Sequence, residues 1–171
     1  MNLVEAKEQF INSWGALATQ WGINRTMAQV HALLLVAAVP MSTDDIMHVL
    51  KISRGNANMN LRELIDWKLV EKQVIAGERR EFFVAEKDMW KVLTRIMYQR
   101  KKRELDPMLE VLQNLSASAP LSTNDPEWEA FSSTINRIQS LAEQADQTFQ
   151  TIIKAEENWF WSHFVRLVRP K

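Results

Sequence analysis

The sequence contains no cysteine, which removes disulfide frameworks, thiolate nucleophiles and thiolate metal sites together. Glycine is nearly as scarce, four in 171 residues, and those four spell neither a phosphate-cradling loop nor a nucleophile elbow. The three histidines, His31, His48 and His163, stand in separate segments without metal-ligand spacing, so no metal and no cofactor is expected. Asp44 and Asp45 are adjacent, and neighbours on a helix do not face each other; they suit a helix N-terminus better than an acid–base pair. Long apolar runs are missing too. The longest, Ala32 to Val39, falls far short of the ~20 residues a membrane span needs, and the opening MNLVEAKEQF has neither the basic end nor the apolar core of a signal peptide. These absences lead to the expectation of a non-enzymatic protein in the reducing cytoplasm, with no membrane partner.

An excess of one charge is lacking as well, with 21 basic against 21 acidic residues. The balance is uneven along the chain. Lys51 to Arg103 carries 14 Lys and Arg against 7 Asp and Glu, a local net of +7, so one segment can attract a polyanion while the whole stays neutral.

What is present is helical periodicity. Phe10, Trp14, Leu17 and Trp21 form one stripe of a first helix, Leu3 to Trp21. Asn24 is placed to cap a second helix, apolar nearly all round and hence central, which must stop near Pro40. Ser42 with Asp45 has the spacing of a capping box for a short third helix, and Ser53 can cap a fourth whose inward face is Ala57, Leu61, Leu64 and Ile65. Two short helices joined by a tight turn outline a helix-turn-helix. Strand formers from Leu69 to Ile75 and from Phe82 to Val84 flank AGERRE, a hairpin with a basic tip. A long helix from Asp88 either kinks or restarts at Asp106 and Pro107. After turn chemistry in SASAPLSTNDP, the residues Trp128, Phe131, Ile135, Ile138, Ala142, Ala145, Phe149 and Ile152 make a heptad seam.

The run SRGNANMN raises a question, because glycine and asparagine are poor helix formers at the start of a sound apolar helix. Turning 100° per residue places Asn56, Met59 and Asn60 together and outward. An asparagine amide can bond adenine N6 and N7, Arg54 can reach guanine or a phosphate, and Gly55 removes a side chain where a helix end must approach a backbone closely. Glu63 and Asp66 repel phosphates and limit the contact to the first half of the helix. A plainer reading stands beside this one, since Ser and Asn also gather at helix starts simply as caps.

Residues 23 to 106, with INRTMAQVHALL, STDDIMHVLKISRGNANMNLRELIDWKLVEK, GERREFFVAEKD and RKKRELDP, closely resemble the winged-helix regulators of the MarR superfamily, in particular its GbsR-like branch. SRGNANMNLREL is the most specific part. The resemblance implies a mainly α fold with a small β-hairpin wing, and a homodimeric transcription factor, a repressor by this likeness, acting on a pseudo-palindromic duplex operator. The expected organisation is an N-terminal dimerisation helix (1–22), a winged helix-turn-helix (23–87), a connecting helix (88–115), a linker (116–126) and a C-terminal helical dimerisation region (127–171). Ser53, Arg54, Asn56 and Asn60 carry over as recognition-helix contacts and Arg79 and Arg80 as wing contacts; Ser42, Gly55, Asn58 and Arg62 complete the expected DNA-binding set. Lys51 and Lys68 depart from the family, standing where such proteins often have glycine, at about 1 kcal/mol each if a left-handed backbone is kept. The likeness also implies control by a choline- or betaine-type osmoprotectant. A quaternary ammonium needs an aromatic cage, for which Trp14, Trp21, Trp90, Trp159 and Trp161 are candidates, while aromatics on helical stripes also serve as core or dimer interface. The competing function is a winged-helix module that docks a protein through the same face and reads no DNA sequence.

Overall fold

The computed structural model describes residues 1–118 and 125–154. The chain divides after Val92 into two compact units. In the first, α1 (Leu3–Gln20) starts at a capping box: Asn2 Oδ1 accepts from the Glu5 amide at 2.9 Å while the Glu5 carboxylate accepts from the Asn2 amide at 2.9 Å. The helix packs on α2 (Arg25–Val36), capped by Asn24 through the Met27 amide at 3.0 Å. Gly15 lets the two helices close up, because a Cβ there would lie 2.8 Å from Gln29 Cγ. The face that docks on α2 is carried by Ile11 and Gly15. Leu17 is 47% and Trp21 53% exposed; of the stripe from Phe10 to Trp21 only Phe10 and Trp14 are half-buried. Met27, Ala28, Val30, His31, Ala32, Leu33 and Leu34 are all buried, so α2 is the central helix. Lys87 closes its far end, donating from Nζ to the carbonyls of Leu34 at 3.1 Å and Ala37 at 3.0 Å.

β1 (Met41–Ser42) leads into α3 (Thr43–Leu50), then α4 (Arg54–Asp66), β2 (Val70–Gln73) and β3 (Phe82–Ala85). The sheet is antiparallel in the order β1-β3-β2, with Met41 opposite Phe83 and Val70 opposite Ala85. The hairpin pairs Val70–Gln73 with Phe82–Ala85, while Val74 and Ile75, expected in the first strand, fall in the loop, Val74 in solvent. The two-residue β1 has no periodic signal of its own and exists by pairing with β3. Ala57, Leu61 and Leu64 of α4 and Ile46 of α3 enter the core with Val30 and Leu34.

Three helices end in one way. Ile23 donates to Ala18 O, Ile52 to Met47 O and Leu69 to Leu64 O, each spanning five residues back across a left-handed residue: Gly22, Lys51 and Lys68. Both lysines keep the glycine geometry, at φ 54° and 60°.

The second unit begins within α5 (Met89–Arg100), which passes through a π-helical turn, Lys101–Leu105, into α6 (Asp106–Ala117). The helix runs on through Pro107 without a break. The wider turn just before it accommodates a ring that cannot donate and would crowd the carbonyl four residues earlier. The Lys101 ammonium donates to Asp106 and, at 2.8 Å, to Asp146 of α7 (Pro126–Lys154), and these hydrogen bonds raise its pKa above the usual lysine value. α6 and α7 run antiparallel, since Lys101 meets Asp146 while Ser116 donates to Gln139 Oε1 at 2.6 Å. Leu112 and Ala142 are buried between them, while Met108, Val111, Leu115, Phe131, Ile138 and Leu141 stay exposed.

Candidate nucleic-acid interface

The N-termini of α3 and α4 are each set by a short side chain. Ser42 Oγ accepts from the Asp45 amide at 3.3 Å, and the Asp45 carboxylate accepts from the Ser42 amide at 2.8 Å. The Ser42 hydroxyl and amide hold the Asp45 carboxyl below its ordinary value, with the charges of Arg80 and His48 adding to the effect. Ser53 caps α4 through the Asn56 amide at 3.2 Å. Lys51 lies between the two helices and Lys68 follows the second; both are exposed, so their ammonium groups add to the positive charge around the motif.

The side chains of α4 divide by angle. Ala57, Asn60, Leu61 and Leu64 are buried; Gly55, Met59, Arg62 and Asp66 are exposed on the opposite side, with Met59 at its centre and 57% accessible. Asn58 and half-buried Asn56 lie on the flanks. No atom lies within 4 Å of a Cβ built at Gly55, so the space over the helix start is open. Arg54 is exposed and paired with Asp44 of α3. Such surface pairs are worth at most about 1 kcal/mol, so the guanidinium can leave for a phosphate. Asn58 accepts from the Thr43 hydroxyl at 3.5 Å.

Two members of the expected set do not face outward. Asn60 is 1% exposed and bonded to Asn56, because at 100° per residue it falls only 40° from Leu64, on the edge of the apolar stripe. That angle is available in the spacing of the sequence. Ser42 is also 1% exposed, its hydroxyl committed to the cap and its backbone to β1. Met59, in contrast, takes the central position.

The wing brings a second basic group. Gly77 turns the hairpin at φ 84°, and Arg79 and Arg80 beyond it are exposed. Arg80 donates to Glu78 at 3.2 Å while its guanidinium lies 5.4 Å from the centre of the Phe82 ring. Lys72 pairs with Glu81 at 2.7 Å across the strands.

The aromatic candidates are dispersed in role. Trp14 lies 5.5 Å from Phe10 and 6.4 Å from the His31 ring, Trp21 caps α1 half in solvent, and Trp90 begins α5. Trp159 and Trp161 lie outside the described residues. Burial pushes the His31 imidazole down to about 4, so it is neutral at ordinary pH and cannot repel a cation. Among the described residues no three His, Cys, Asp or Glu side chains gather as metal ligands, and no helix is long and apolar enough to cross a membrane.

Residues 21–81 match the model of the MarR family. Over 113 residues the chain is 24% identical to the HTH-type transcriptional repressor GbsR of Bacillus subtilis (strain 168), covering 66% of this chain and 62% of the repressor's own length, less than two thirds of it. A crystal structure described as that of a transcriptional regulator superposes with a TM-score of 0.66 at 18% identity, over 89% of this chain and 98% of the other. At that identity the likeness is one of fold, a mainly helical chain with a small antiparallel sheet.

Proposed function

Because residues 21–81 match the model of the MarR family, we propose that the protein is a DNA-binding transcriptional regulator, acting as a homodimer on an imperfectly palindromic operator. In this reading residues 23–87 bind the duplex, α4 lies in the major groove and the wing tip follows the backbone. Residues 1–22 and 127–171 supply the dimer contacts. The observation that carries it is the pairing of an exposed α4 face, Gly55, Met59 and Arg62 flanked by Arg54, Asn56 and Asn58, with the basic wing residues Arg79 and Arg80. Met59 suits a thymine methyl, the guanidinium groups suit guanine or phosphate, and a protein-docking module has no need of a wing tip and turns so rich in cations. The relative that is a repressor supports repression as the sign of control. A small-molecule effector belongs to the same proposal, with Trp14, Trp21 and Trp90 as its described candidates. Anisotropy titration of the full chain against labelled duplexes from upstream of its own gene, with excess unrelated DNA present, tests the reading. Selective binding is expected; equal affinity for every duplex would favour the protein-docking alternative.

A further inference from the structure

We infer that Asn60 is a positioning residue that turns Asn56 into a donor-only reader of base edges, so that Asn56 selects guanine and not adenine. This rests on α4 being the recognition helix. Asn60 Nδ2 lies 2.8 Å from the backbone oxygen of Asn56 and 2.6 Å from its side-chain oxygen. A backbone carbonyl can only accept, so the Asn60 atom facing it is the amide nitrogen; the Asn56 atom meeting that same nitrogen must also accept, and is Oδ1. Hydrogen-bond logic therefore fixes both amide orientations.

The consequence follows from the planarity of the amide. Bidentate recognition of adenine needs Oδ1 and Nδ2 side by side on the edge that meets the base, one accepting from N6 and one donating to N7. With Oδ1 held inward by a buried neighbour, the Nδ2 branch is the end left for DNA, and it carries two donors. Guanine is the base with two adjacent major-groove acceptors, N7 and O6. A second observation concerns Asn60 itself. Its Oδ1 is buried without a hydrogen-bond partner among the described residues, a penalty that a leucine of similar size would avoid. Stability does not explain an asparagine here, whereas orientation of Asn56 does.

The test is selection of a randomised duplex pool of about 25 base pairs, long enough for two half-sites, by the full-length protein and its variants. The parent should enrich a motif with a guanine in each half-site, favoured over adenine by roughly tenfold, and Asn56→Ala should lose the preference at that position alone. Asn60→Leu, which frees the Asn56 oxygen, should move that position toward adenine while circular dichroism stays unchanged. Asn56→Asp, a half-exposed change independent of core packing, keeps the acceptor for Asn60 but removes the donors, and should abandon guanine even if Asn60→Leu fails to fold. A parent motif with adenine at the Asn56-dependent position, or an Asn56→Asp motif identical to the parent's, overturns the inference and leaves the regulator reading standing. A parent that enriches no motif overturns both.

Discussion

Met59, Arg79 and Arg80 divide the labour expected of the interface: one apolar side chain sits where base edges would be, and two cations sit where phosphates would be. Arg79→Ala and Arg80→Ala should each weaken binding to all duplexes alike and flatten the slope of log affinity against log salt by about one unit for every phosphate no longer neutralised. An unchanged slope would take the wing tip off the DNA. Lys51 and Lys68 offer a test of stability at the same scale. Both hold a left-handed backbone that glycine adopts without strain, as Gly22 does at the end of α1. Strain relief outweighs the added freedom of the unfolded chain, so Lys51→Gly and Lys68→Gly should each raise unfolding free energy by about 0.5–1 kcal/mol. Urea midpoints at constant slope measure it, and a fall would mean that the lysine side chains hold these turns by interactions of their own.

At the scale of elements, capping and turn chemistry is the most readable part of the chain. Asn24, the Ser42–Asp45 box and Ser53 start their helices where short acceptors precede apolar spacing, and AGERRE lies in the loop between β2 and β3. Other features depend on neighbours and are not local. β1 arises only from pairing with β3, and the docking line of α1 passes through Ile11 and Gly15 because Gly15 permits the closest approach to α2. The outward direction of α4 differs by about one residue's turn from the one its spacing suggests, which moves Asn60 from the surface to the core. The centre of α2 has a consequence in pH. His31 is neutral when folded, with a pKa near 4, whereas the unfolded chain takes its proton near 6.5. The unfolded state therefore binds more protons between these values, and stability should fall as pH drops from about 6.5 toward 4, by about 3 kcal/mol at most. Asp45 acts in a separate window: its depressed pKa stabilises the fold above 3.8, and that contribution is lost as pH falls through the lower folded value. Urea unfolding of the parent and of His31→Leu across pH 7 to 4.5 checks this, the variant being expected to lose most of the slope; parallel curves would contradict it.

For the whole molecule, the apolar residues left in water argue for a partner. Leu3, Val4 and Leu17 on α1, Trp21 at its end, and Phe131, Ile138 and Leu141 on α7 are exposed among the described residues, more than a soluble monomer usually tolerates. Sedimentation equilibrium should find the full chain dimeric at micromolar concentration, and deletion from Ser116 onward should weaken dimerisation and DNA affinity together. A truncated chain that dimerises as tightly would assign the interface to α1 and α5. A two-fold pair would present two recognition helices to half-sites about one helical turn apart. The most direct measurement of the central claim is the affinity of the parent and of Met59→Glu for the preferred duplex and for its shuffled sequence, alongside their melting temperatures. Met59 is well exposed, so the substitution should leave melting unchanged, while a carboxylate at the centre of the surface proposed to meet DNA should lower affinity by about a hundredfold or more. A Met59→Glu protein that binds the preferred duplex as tightly as the parent would show that this face of α4 does not meet DNA.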